Sequence, residues 1–155
     1  TLYRQFGHIN DDYFSIGING KSSEVHAAMG LCILPHVNKI IKKRKEICEK
    51  YNECLAGLNI QMPIPMAHVK YNYAYYPVVF KTEQTLLKVK NNLADNGIFT
   101  RRYFYPSLNR LPFINTADCP VSESISSRVL ALPLYYELEV VQIKRITDIL
   151  KKSII

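Results

Sequence analysis

A chain of 155 residues with an apolar fraction of 48% is long enough for one hydrophobic core and has an ordinary composition for a soluble globular domain. No apolar run reaches membrane-spanning length, and no charged start with a cleavage site marks a signal peptide, so the expectation is a soluble, cytoplasmic protein with no membrane partner. The net charge of +7 and eleven tyrosines raise the question of nucleic-acid binding, but much of the excess sits at Lys39, Lys42, Lys43, Arg44, Lys45 and Lys50 among Glu46, Glu49 and Glu53, the pattern of a solvated helical face.

The first informative segment is Gly17-Ile18-Asn19-Gly20-Lys21-Ser22-Ser23-Glu24-Val25-His26-Ala27-Ala28, a Gly-flanked Asn running into a polar helix start. A first helical turn leaves backbone N–H groups unpaired and carries partial positive charge, so a phosphate is favoured beside it. Asn19 adds amide donors, Lys21 adds a full charge, and the glycines allow close approach. The alternative is a loop that caps a helix through Ser22 or Ser23.

A helical pattern then runs from about Ser23 to Ala56. Val37, Ile40, Ile41, Ile47, Cys48, Tyr51, Cys54, Leu55 and Leu58 recur at three- and four-residue steps and form one apolar stripe. Pro35 predicts a kink, Gly57 a C-terminal stop, and Pro63 and Pro65 keep the helix from continuing. Lys70 to Phe80 reads as extended, with Pro77 at an edge or bulge. Its tyrosines either pack a strand or stack on a base or sugar.

A short helix follows from about Glu83 to Asn96, capped by Thr82, with Leu86, Val89 and Leu93 inward and Asn96-Gly97 as its stop. Ile98 to Tyr103 reads as a strand, 107–120 as loop, Ser122 to Arg128 as a brief helix, and Val129 to Leu132 as a short buried strand. A last helix, about Leu138 to Ser153, turns Val140, Ile143, Ile146, Ile149 and Leu150 inward. This alternation predicts an α/β layered domain.

Cys32, Cys48, Cys54 and Cys119 show no Cys-x-x-Cys spacing and read as packing thiols; His8, His26, His36 and His68 show no metal-ligand spacing, so no metal is expected. Neither a P-loop nor a Gly-x-Ser-x-Gly elbow occurs.

Four patches, Gly17–Ala28, Asn72–Phe80, Asn96–Leu108 and Ala131–Tyr135, together resemble the sugar aminotransferases of the DegT/DnrJ/EryC1/StrS family in order and spacing. The third patch contains Arg101-Arg102-Tyr103-Phe104-Tyr105-Pro106, which looks most like the branch that acts on dTDP-4-keto-6-deoxyglucose to give a 4-amino-4,6-dideoxy sugar. The resemblance implies the C-terminal part of a fold-type I enzyme dependent on pyridoxal phosphate. Residues 1–35 would be the tail of the large cofactor-binding domain and the start of a long kinked connecting helix, and 36–155 the small α/β domain. The Schiff-base lysine of the family lies upstream of the Gly-x-Asn segment, so the expectation is that this chain lacks it and is inactive alone.

By the same resemblance, the parent enzyme moves an amino group from glutamate onto a keto sugar carried by a nucleotide diphosphate, as in the making of cell-surface polysaccharide. It would be a homodimer with active sites shared between subunits. Asn19 would reach the cofactor phosphate of the other subunit. Lys21 stands where many members have Arg, keeping the charge without the bidentate fork. Arg101, Arg102, Tyr103 and Tyr105 match a stretch near the active-site mouth, where an Arg pair suits a diphosphate or a donor carboxylate and a Tyr can cover a sugar face; a surface role for one of the two Arg is the alternative. A noncatalytic basic binding module or interaction domain is the competing reading of the whole chain.

Overall fold

The computed structural model describes residues 8–9, 12–13, 18, 20, 22–111 and 117–154, and the chain divides into two compact units, Thr1–Asn38 and Lys39–Ile155. In the first unit, β1 (His8–Ile9) pairs antiparallel with β2 (Asp12–Tyr13), His8 facing Tyr13 and Ile9 facing Asp12. Helix α1 (Glu24–Ile33) starts at Ser23, whose backbone is extended and whose side-chain oxygen accepts the His26 N–H in the manner of an N-cap. None of the α1 residues is buried, and Val25, Met29 and Leu31 are all more than half exposed.

A 3-10 turn over Leu34–His36, with Pro35 at its start, separates α1 from α2 (Val37–Leu55). Pro35 has no N–H to give to an α-helical ladder, so the interruption falls where the sequence predicts it. Along α2 the apolar stripe buries Ile47, Cys48, Tyr51 and Leu55, while Val37, Ile40 and Ile41 are only half-buried. Gly57 ends the helix at φ 79°, a conformation that costs glycine little.

In the second unit, β3 (Tyr76–Val79) pairs antiparallel with β4 (Val129–Leu132), Tyr76 opposite Leu132 and Val79 opposite Val129. The extended run is shorter than Lys70 to Phe80, because Tyr73 takes a positive φ of 50° and breaks it. Pro77 faces Ala131, whose N–H and C=O are instead exchanged with Arg101 at 2.8 and 3.4 Å. That register position is a non-hydrogen-bonded pair, so the missing donor of Pro77 leaves no gap in the ladder. Val79 likewise exchanges both its hydrogen bonds with Gln61, at 2.9 Å each.

Helix α3 (Glu83–Asp95) begins at Thr82, which accepts the Thr85 N–H at 3.1 Å, and stops at Asn96 and Gly97, the latter at φ 76°. Its Leu86, Val89 and Leu93 are fully buried. Helix α4 (Pro120–Arg128) starts two residues earlier than the sequence suggests, since Pro120 suits the first helical position. Helix α5 (Val140–Ile154) packs on α3 and buries Ile143, Ile146 and Leu150, whereas Val140 is 48% exposed and does not join them. The core therefore gathers α2, the β3–β4 pair, α3 and α5.

The strand expected over Ile98 to Tyr103 is not formed: Arg101 alone makes an isolated bridge to Ala131. A 3-10 turn, Leu108–Arg110, lies within the expected loop, and 112–116 fall outside the described residues. All four cysteines are free thiols, Cys48 buried and Cys32 and Cys119 exposed.

Candidate functional site

Asn19 and Lys21 lie outside the described residues. What is described beside them is the start of α1, where Ser23 serves the helix: its Oγ accepts from His26 N at 3.3 Å and lies 2.7 Å from His26 Nδ1. Ser22 Oγ donates to Ser23 O at 3.3 Å. Helix geometry leaves the N–H groups of Glu24 and Val25 without intrahelical acceptors. These backbone donors fit a phosphate, with the Glu24 carboxylate as an opposing charge in the same turn.

In the second unit, the single bridge to Ala131 sets the direction of everything after it. Arg101 and Tyr103 lie on one side of the segment, at one cavity, and Arg102 reaches Glu83 and Ser127 on the other. Arg101 Nη1 donates to the Tyr103 hydroxyl at 2.7 Å, and the Tyr103 ring meets Tyr75 edge-on at 5.5 Å and 67°. With Phe99, Pro133 and Leu134 these three residues wall a cavity of about 230 Å³. A full positive charge, an oriented phenol and flat rings thus face one space.

Arg102 is turned into the fold. Its Nη2 donates to Glu83 Oε1 at 2.6 Å and to the Ser127 carbonyl at 2.8 Å, and its guanidinium lies 3.6 Å from the centre of the Tyr105 ring. The Arg102 side chain is only 14% exposed, and its Nε is buried without a partner. Of the four residues expected at the active-site mouth, the structure therefore brings Arg101 and Tyr103 to one cavity and couples Arg102 to Tyr105 elsewhere.

Sequence reasoning did not single out Tyr75, Phe99 or Pro133 as lining residues. Tyr75 carried a signal, as one of the tyrosines that could stack on a ligand; Phe99 carried none beyond its nearness to Arg101. Pro133 is held from the core, where the Tyr51 hydroxyl donates to its carbonyl at 3.0 Å. Burial raises the Tyr51 phenol far above the ordinary tyrosine range, so that donor stays protonated. Phe99 and Pro133 also line a neighbouring cavity of about 340 Å³ with Tyr135, Gln142 and Arg145.

The profile of the DegT/DnrJ/EryC1/StrS aminotransferase family matches residues 2–151. Two dTDP-4-amino-4,6-dideoxy-D-glucose transaminases, from Shigella dysenteriae and Escherichia coli, are 34% and 32% identical to the chain over 143 residues. Those matches cover 87% and 86% of this chain but only 39% and 38% of the relatives, so the chain spans about two fifths of their length. In three dimensions it is similar to DesI, a protein crystallised in the presence of its TDP-sugar product, with a TM-score of 0.84 and 29% identity over 99% of this chain and 41% of that one.

Proposed function

Because the chain belongs to the DegT/DnrJ/EryC1/StrS aminotransferase family, we propose that it forms the C-terminal part of an enzyme that moves an amino group from glutamate onto a nucleotide-linked keto sugar, dTDP-4-keto-6-deoxyglucose in particular. The observation that carries this reading is the cavity where Arg101 is hydrogen-bonded to Tyr103 against Tyr75. A guanidinium there can pair with a diphosphate or a donor carboxylate, and the rings can cover the apolar face of a deoxysugar. The names of the two transaminases and the TDP-sugar product in whose presence DesI was crystallised support the nucleotide-sugar class.

Arg101 and Tyr103 would bind the substrate, with the Arg101 charge fixing the direction of the Tyr103 hydroxyl. Arg102 and Tyr105 would support them, since Arg102 ties the segment to Glu83 and Ser127. Pyridoxal phosphate, when bound in the complete enzyme, supplies the electron sink for amino transfer. Asn19 and the first turn of α1 would contact its phosphate across a homodimer, with Lys21 toward the substrate. A cytoplasmic setting belongs to the same proposal.

The test uses the parent enzyme and separates its two half-reactions by cofactor absorbance. Arg101→Ala and Tyr103→Phe should weaken use of the keto sugar more than the half-reaction with glutamate. Equal losses in both would point to cofactor placement or folding, and a parent that aminates ordinary 2-oxo acids as readily would overturn the substrate class. For Asn19→Ala, a cofactor-affinity loss of roughly 1.5–3 kcal/mol is expected for a hydrogen bond to a charged group. Mixed dimers should show that the loss follows the subunit opposite the cofactor lysine. For this chain alone, borohydride treatment with pyridoxal phosphate should leave no stoichiometric adduct at Lys21.

A further inference from the structure

Tyr75 also lines a second cavity, of about 150 Å³, that the proposed reaction does not use. Three more tyrosines wall it, Tyr71, Tyr73 and Tyr76, together with Glu49 and Asn52 from α2. The Tyr71 and Tyr73 rings meet edge-to-face at 4.9 Å and 77°, which makes an aromatic corner. Tyr73 is held there by a φ of 50°, a strained conformation for a bulky residue and one that tends to persist where the surroundings require it. The Tyr76 hydroxyl is already engaged with Asn52 Oδ1 at 2.6 Å.

The charge of this cavity is the reverse of the chain's. In a protein of net charge +7, no Lys, Arg or His lines it among the described residues, and Glu49 is the one acidic side chain that they place in its wall. The Cys48 thiol in the same wall is pushed up to about 11 by burial and stays neutral. Lys45 approaches Glu49 only at 3.7 Å, with both side chains more than half exposed, so solvent screens that pair and a ligand can replace it. Aromatic faces carry negative charge density and attract cations. The volume matches roughly five waters, too little for a nucleotide.

We propose that this cavity is a binding site for a small organic cation, an alkylammonium compound, held among the Tyr71, Tyr73 and Tyr75 rings beside the Glu49 carboxylate. The site is independent of the aminotransferase reading, and its test needs no activity. Choline and its neutral isostere 3,3-dimethylbutan-1-ol are titrated into the 155-residue chain carrying isotope-labelled tyrosine, and the ring signals are followed by NMR.

Choline should move the Tyr71, Tyr73 and Tyr75 signals with saturable, millimolar affinity, about tenfold tighter than the alcohol. Glu49→Gln, a change at an exposed position, should weaken choline several-fold and leave the alcohol unchanged. Tyr71→Phe should bind as the parent chain does and Tyr71→Leu should not. Equal binding of the two compounds, no saturable shift with choline, or undiminished affinity in Glu49→Gln overturns the proposal. The isostere comparison on the unaltered chain decides the matter if Tyr71→Leu fails to fold.

Discussion

Two adjacent arginines of the same chemistry have opposite fates here, and substitution should separate them. Arg101 is exposed and bonded to Tyr103, so Arg101→Ala should change stability by no more than about 0.5 kcal/mol. Arg102 reaches Glu83 and Ser127 from a nearly closed position, so Arg102→Ala should cost about 1–2 kcal/mol, discounted because the Glu83 side chain is 40% exposed. Chemical denaturation of the two variants measures the difference. A second residue-scale effect concerns Glu123, whose carboxyl is lowered from 4.5 to about 2, first by the Asn109 side-chain hydrogen bond, then by the Cys119 N–H and by Arg110. A group with a depressed folded pKa contributes stability above its unfolded pKa and loses it as pH falls through the folded one. The ties from Asn109, Arg110 and Cys119 to Glu123 should therefore persist above pH 4.5 and be lost on acidification toward about 2. A carboxyl-detected NMR titration should place the Glu123 midpoint near 2, and Glu123→Gln should abolish that transition.

At the scale of single elements, α3 is the clearest case of local chemistry setting both ends. Thr82→Ala removes the cap on the Thr85 N–H and should destabilise the chain by about 1 kcal/mol. Gly97 sits at φ 76° with open space around it, so Gly97→Ala should cost about 1–2 kcal/mol from backbone conformation alone. The packing between α3 and α5 contributes more: Leu150→Ala, at a fully buried site, should lose about 2–5 kcal/mol. Urea midpoints with unchanged slopes would report all three as stability changes in one cooperative unit.

For the molecule as a whole, burial is unevenly shared. The core lies within Lys39–Ile155, while α1, in the other unit, buries no side chain. Amides of α3 and α5 should exchange with solvent only on global unfolding, and those of α1 through local opening; native-state hydrogen exchange reads both. Much of this was legible beforehand, because it depends on neighbours in the chain: the Thr82 cap, the Gly57 and Gly97 stops, the Pro35 interruption, the Val129–Leu132 strand and the 3.6-residue stripes are local steric and hydrogen-bonding facts. The family was legible too, through the order and spacing of four patches, and it matches residues 2–151. What the linear pattern could not decide was where side chains point once distant segments meet. The bridge between Arg101 and Ala131 sends Arg101 to the cavity and Arg102 inward, and one residue of register would reverse them. Val140 has the right spacing for the α5 stripe but sits at the helix end, beyond the reach of the core. The expected strand at Ile98–Tyr103 shrank to one bridge because a strand exists only where a partner supplies hydrogen bonds along its length, and β4 offers that segment Ala131 alone among the described residues.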